Sequence, residues 1–287
     1  MRPVTESNGS VAAEPMPVLV IRPSRGWRAL GLRELWAYRE LLWIFAWRDL
    51  KVRYRQTFLG AVWVMGQPLI TMAIFTLIFN RVAHLRASGN VPYSVFVLSG
   101  LLLWNFFSAS VAHAGNSLIG ASYLISKVYF PRLAIPLAAT IVDLVDLSVS
   151  AVLLAALMIW YRVLPGPEIV LFPVVVLAGA VLATGVGLWC AALNVEYRDV
   201  RVLIPFVLQL GMFATPVAYS VDVIPAKYRF LVLLNPMTGI IEAGRATLFG
   251  TPVAMEALLS AAIVSPLVLI TGIYYYRRME RLFADLL

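Results

Sequence analysis

Asp143 and Asp146 are the residues whose type and position first raise a question of chemistry. Set three apart, they share one face of a helix. They interrupt an otherwise uncharged block, 133–161, about ten to fourteen residues from its start, which is near mid-bilayer if that block crosses a membrane. An ionised Asp at that depth costs roughly 2.5–3.5 kcal/mol on insertion scales and must face protein or water. Three uses stay open: hydrogen bonding within a helical bundle, a proton relay, or the polar lining of a pore. A relay would want a cationic or histidine partner at similar depth, and no other apolar block supplies one. A second pair, Glu242 and Arg245, is also three apart and is spaced to join on one helix. The alternative is a solvent-exposed pair worth under about 1 kcal/mol.

Catalytic chemistry finds little else to use. The sequence has no G-x-x-x-x-G-K-S/T phosphate loop, so the chain by itself is not a P-loop ATPase, and it has neither H-E-x-x-H nor G-x-S-x-G. Its one cysteine, Cys190, excludes an intrachain disulfide and a cysteine-based metal cluster, and reads as a packing residue. The two histidines, His84 and His113, fall on opposite sides of the membrane in the topology below and read as interfacial polar residues. No metal site is expected.

These residues sit in a chain of 287, of which 61% are hydrophobic and 13% charged, against roughly 45–50% and 25% for soluble domains. The apolar residues gather into long blocks, which excludes a soluble fold. Residues 56–80 carry no charge, and at about 1.5 Å per residue they exceed the roughly 30 Å hydrocarbon core. Blocks 91–114, 133–161, 169–195, 202–221 and 257–276 follow, so the expected fold is an all-α polytopic membrane protein with six transmembrane helices in a single domain, 56–276. Residues 230–241 are too short and too broken to span, and suit a re-entrant or interfacial segment between helices 5 and 6.

With both termini inside, seventeen of the 23 Lys and Arg residues fall on the cytoplasmic side and six outside, so both termini are expected to be cytoplasmic. The net charge of +8 is then a topology signal plus attraction to anionic lipid, and a nucleic-acid partner gains nothing from it. Residues 1–29 lack periodicity and read as a disordered cytoplasmic leader; 277–287 form a cytoplasmic tail. Over 30–55 the pattern changes. Leu32, Leu35, Trp36, Leu42, Trp43, Ala46, Trp47, Leu50 and Tyr54 lie on one side of a helical wheel, and Arg33, Glu34, Glu40, Arg48, Lys51, Arg53 and Arg55 on the other. This predicts an amphipathic helix in the membrane interface, with Asp49 positioned to pair with Arg53.

Five motifs carry a resemblance across about residues 32–280: W-R-D-L-K-V-R-Y-R-Q-T-F-L-G-A-V-W (47–63), G-L-L-L-W-N-F-F-S (100–108), L-I-S-K-V-Y-F-P-R (124–132), L-N-V-E-Y-R-D-V (193–200) and L-N-P-M-T-G-I-I-E-A-G-R (234–245). The chain resembles the ABC-2 type permeases that export polysaccharides, the membrane subunits behind O-antigen, capsule and teichoic-acid secretion. The resemblance implies a half-transporter in the bacterial cytoplasmic (inner) membrane. Two copies would form a homodimeric channel, and two copies of a separate ABC ATPase subunit would bring the ATP and Mg, with no cofactor in this chain. Its implied substrate is a polyprenyl-pyrophosphate-linked polysaccharide.

By the same resemblance helices 1 and 5 line the channel, which puts Phe58, Trp63, Phe206, Phe213 and, at the outer end, Tyr219 along a sugar path. Lys51, Arg53 and Arg55 are the cations available for the anionic head at the entrance. Residues 118–132, with Tyr123, Lys127, Tyr129 and Arg132, suit a coupling helix for the ATPase, and 194–201, with Glu196 and Arg198, a second contact. Glu196 stands where a basic or polar residue is expected, a departure that bears on docking. Pro225, Asn235, Pro236, Gly239, Glu242 and Arg245 form the expected exit gate. Two other functions are weighed against this: an ABC-2 exporter of drugs or small lipids, and a membrane glycosyltransferase or secondary transporter.

Overall fold

The structure, a computed structural model, describes residues 32–55, 60–82, 84, 91–128, 130–280 and 283, with the side chains of 32–34, 60–64 and 126 outside the description. The leader, Tyr129 and most of the tail therefore lie outside the described residues. Every regular element among them is helical: α1 (Leu32–Ala37), α2 (Arg39–Arg55), α3 (Gly60–Phe75) continuing as a π-helix (Thr76–Val82), α4 (Tyr93–Gly120), α5 (Ser122–Lys127), α6 (Ala134–Trp160), a 3-10 turn (Pro167–Leu171) leading into α7 (Phe172–Glu196), α8 (Val200–Ala214), α9 (Ala226–Leu233), α10 (Pro236–Phe249) and α11 (Met255–Met279).

α4 is the centre of the bundle. Most of its residues are apolar and buried, as in a helix enclosed by others, and α3, α6, α7, α8 and α10 all pack on it. α11 packs on α7 and α10, and α2 lies along α6. Five described helices are long and apolar enough to cross a membrane: Met65–Val82, Tyr93–Gly120, Ala134–Trp160, Pro167–Glu196 and Met255–Met279. The expected fifth helix, 202–221, is corrected: α8 stops at Ala214. Fifteen residues rise about 22 Å, short of the roughly 30 Å hydrocarbon core. Even so, α8 runs antiparallel along α4, with Ile204 near Gly115, Gly211 against Trp104 and Val217 against Gly100. Irregular backbone after Ala214 thus completes the path to the end of the bundle where α4 begins.

That backbone is satisfied by side chains. Arg245 donates from Nη1 to the Pro216 carbonyl at 2.8 Å and from Nη2 to that of Val217 at 2.6 Å, and Tyr93 donates to Ala218 at 2.5 Å. Asn235 donates to the Thr215 hydroxyl at 2.9 Å and accepts from the Met237 amide at 3.0 Å, capping α10. Arg245 is 1% exposed, pairs with Glu242 at 3.0 Å, and lies 3.7 Å from the centre of the Phe96 ring. The expected Glu242–Arg245 pairing within one chain is present, and it is buried, not solvent-exposed.

The punctuation in 225–245 turns out to be structural. Pro236 opens α10 at a position where its missing amide hydrogen costs nothing, and a Cβ at Gly239 would collide with the Ala257 carbonyl of α11. At Gly100 a Cβ would stand 2.6 Å from the Val217 oxygen and 2.7 Å from an Arg245 nitrogen, so the close approach of α4 to the turn requires glycine.

Replacing Arg245 with Met should destabilise the protein by about 3–5 kcal/mol, because it leaves Glu242 buried without its cation and two carbonyls without donors. Unfolding midpoints in detergent would measure this. The Arg245→Met, Glu242→Leu pair should lose less than the sum of the two single changes.

Candidate functional site

A cleft of about 830 Å3 opens where α3, α4, α6 and α8 meet the end of α2. Two helical stripes build it. On α4, Asn105, Ser108, Ala112 and His113 recur at spacings of three and four; on α6, Asp143, Asp146, Leu147 and Ser150 do the same. Gln67 and Pro68 enter from α3, Pro205, Gln209 and Met212 from α8, and Arg53 from the last turn of α2.

One network of ionisable groups anchors the cleft. Arg53 Nη1 donates to Asp143 Oδ1 at 2.8 Å and to Asp146 Oδ2, and its Nη2 stands 3.2 Å from His113 Nδ1. The same His113 nitrogen lies 2.9 Å from Asp143 Oδ1, so it accepts from Arg53 when unprotonated and donates to Asp143 when protonated. The Tyr54 hydroxyl donates to Asp146 Oδ1 at 2.5 Å. Asp143 is 1% exposed, Asp146 22% and His113 47%. Burial works against the charge on Arg53, yet hydrogen bonding and attraction from the two aspartates outweigh it and raise its pKa above the usual arginine value. Burial, then Asp146, raises the Tyr54 phenol, which keeps it protonated and donating.

This corrects three expectations. The aspartates do have a cation and a histidine beside them: Arg53 arrives from outside the apolar blocks and His113 from α4. Arg53 is therefore not an open entrance cation, and Asp49 pairs with its neighbour Arg48 at 2.8 Å instead of with Arg53. The side of α1 and α2 that packs on the bundle also differs from the wheel. Phe45 and Ala46 are buried, while Trp36, Trp43 and Trp47 point outward, as interfacial anchors would. Lys51 and Arg55 are exposed, with Lys51 Nζ 5.8 Å from the centre of the Trp47 ring.

The other expected residues scatter. Phe206 and Phe213 are exposed on the outer side of α8 and do not line the cleft. Phe58 and the side chain of Trp63 lie outside the described residues. Tyr219 donates to the Phe213 carbonyl at 2.9 Å and, with Pro225, Leu231 and Asn235, lines a second, apolar cleft of about 610 Å3 at the opposite end. In the connection after α4, Tyr123 (77% exposed) and Lys127 face outward on α5, but Arg132 is engaged internally. Its guanidinium donates to the Glu280 carbonyl at 2.6 Å, and the Tyr276 hydroxyl donates to the Arg132 carbonyl at 3.0 Å, so this arginine fastens the start of α6 to the end of α11. Glu196 and Arg198 are exposed at that same end, where Glu196 accepts from Tyr197 and raises its pKa.

Sequence reasoning missed Gln67, Asn105, Ser150 and Gln209. Their signal was present as neutral amides and a hydroxyl inside blocks defined by the absence of charge.

The fold is that of a multi-pass membrane protein, five of whose described helices are long and apolar enough to span, with a polar cleft among them. The family described as ABC-2 type transporter matches residues 40–249, and the chain belongs to it. The chain is similar to the O-antigen export system permease protein RfbA of Myxococcus xanthus, 33% identical over 254 residues, covering 87% of this chain and 96% of that protein. A protein of the same name from Klebsiella pneumoniae is 25% identical, covering 86% and 95%. The polysialic acid transport protein KpsM of Escherichia coli is 24% identical, covering 81% and 91%.

Arg53→Ala and Asp143→Ala should each lower the unfolding midpoint by the equivalent of about 3 kcal/mol, since each strands a partner in a half-buried site. The double variant should cost clearly less than their sum. Additive losses in a double-mutant cycle would show that the two do not interact.

Proposed function

We propose that this chain is the membrane subunit of an exporter of polysaccharide, energised by a separate ATPase. The observation that carries the reading is the near end-to-end similarity to an O-antigen export system permease, at 33% identity, in a sequence that has no phosphate loop of its own. Two copies of the chain form the pathway in the bacterial cytoplasmic membrane, with both termini in the cytoplasm, and two ATPase subunits supply ATP and Mg. The substrate is a glycan carried on polyprenyl pyrophosphate. The exposed Lys51 and Arg55 at the end of α2 would meet its anionic head, and the cleft at Asp146 would meet its sugars.

Coupling to the ATPase falls to α5. It lies at the end of the bundle that also holds Arg132, Glu196 and the end of α11, which is the side expected to be cytoplasmic. A one-and-a-half-turn helix with Tyr123 and Lys127 facing outward suits insertion into a groove on a partner. Residues 225–245 would close the outer mouth at rest. The Arg245 bracket, which holds the turn after α8 in place, supports that reading.

Purified chain should hydrolyse no ATP, and should support hydrolysis only when combined with a partner that carries the phosphate loop. ATP turnover by the contaminant-free chain would sink the reading. A cysteine at Tyr123 should crosslink to the ATPase in the assembled complex, whereas labelling of that position from outside the cell would overturn the orientation.

A further inference from the structure

One nitrogen in the cleft has two claimants. His113 Nδ1 lies 3.2 Å from Arg53 Nη2 and 2.9 Å from Asp143 Oδ1, with Asp143 Oδ2 at 3.1 Å. A guanidinium only donates and a carboxylate only accepts, so Nδ1 meets Arg53 with a lone pair or Asp143 with a hydrogen, never both. At this point α4, which carries His113, is therefore tied either to α2 or to α6.

The charges around the ring are unbalanced. Arg53 and Tyr54 face it from α2, and Asp143 and Asp146 from α6. α3 and α8 bring the neutral Gln67 and Gln209 to the cleft, and α7 sets Cys190 beside Gly115. The other charges on elements that pack against α4 stand near helix ends: Arg81 in the π-helix, Lys127 on α5, Glu196 on α7 and Arg201 on α8, with Glu242 and Arg245 of α10 at the far end of the bundle. None of these lines the cleft. With His113 neutral, one cation faces two carboxylates; a proton on the ring brings the sum to zero. The His113 side chain is 47% exposed and lines the cleft, so a proton can reach it.

We infer that His113 is a proton-operated switch between α2 and α6: neutral, it holds the end of α2 through Arg53; protonated, it pairs with Asp143 and repels Arg53. Four groups then form two ion pairs, His113 with Asp143 and Arg53 with Asp146, where Tyr54 already donates. Two cations about 3 Å apart cannot both keep their present places, so the end of α2 moves away from α4. Imidazole is the side chain suited to this, because it exchanges its proton between pH 5 and 8. The switch goes beyond the export reading and holds for any cargo, since it concerns only how the wall of the cleft is joined to α2.

The test uses the full chain in nanodiscs at about pH 8.5 and about pH 5, on either side of the imidazole range. In a His84→Gln background His113 is the single imidazole, and nitrogen-15 NMR should show Nδ1 unprotonated at the higher pH and protonated at the lower. Spin labels at Val52→Cys, on the exposed side of α2, and Gly120→Cys, where a Cβ meets nothing, report the motion in a Cys190→Ser chain diluted with unlabelled protein. Acidification should separate them by roughly 1–2 Å. His113→Gln, whose amide both accepts and donates but takes no proton, should hold one distance at both values, and His113→Asn is the second check. An Nδ1 protonated at both values, a distance unmoved by pH, or a distance that still moves in both amide variants would overturn the switch, and each would leave polysaccharide export standing.

Discussion

Inside a bilayer, a buried backbone polar group or charge is costly unless the protein pairs it, and two arginines meet most of that demand in this bundle. Arg245 collects the carbonyls of Pro216 and Val217 and the carboxylate of Glu242, over the ring of Phe96. It therefore joins α4, α10 and the turn that follows α8. A fifteen-residue helix can complete its path through the bundle because this guanidinium, with Tyr93, supplies donors to the irregular backbone beyond it. Arginine suits the task better than lysine, since its planar fork reaches several acceptors at once.

Arg53 does the corresponding work at the other end. It ties the last turn of α2, a helix lying outside the long apolar spans, to the aspartates in the middle of α6. Asp143, almost wholly buried, would be costly as an unpaired ion; with Arg53 and His113 beside it the charge is tolerated. The same contact couples the segment nearest the proposed ATPase side to the wall of the cleft. A displacement of α2 would have to pull Arg53 from two carboxylates, which makes the pair a mechanical link as well as an electrostatic one.

Most of what was legible came from hydrophobicity. Long uncharged blocks located α3, α4, α6, α7 and α11 within a few residues, because the bilayer sets a minimum length that soluble folds do not impose. The short helix α5 and the broken segment after α8 were also visible, from their polar and helix-breaking residues. The end of α8 was not, because 215–221 is as free of charge as 202–214 before it. What stops the helix is Pro216 and the bonding of the Pro216 and Val217 carbonyls to Arg245, 29 and 28 residues away in the chain.

The sequence by itself determined the class: an all-helical membrane protein without ATPase or metal-site motifs, with two acids in one apolar block and an acid–base pair after another. Tertiary structure alone decided what those charges do. Arg53 and Asp143 are ninety residues apart, and His113 stands thirty from Asp143, so no local spacing brings them together. Their meeting depends on α2 folding back along α6 and on α4 presenting His113 to the same face. Helical periodicity tells which residues share a side, but the neighbour that side faces is chosen by packing.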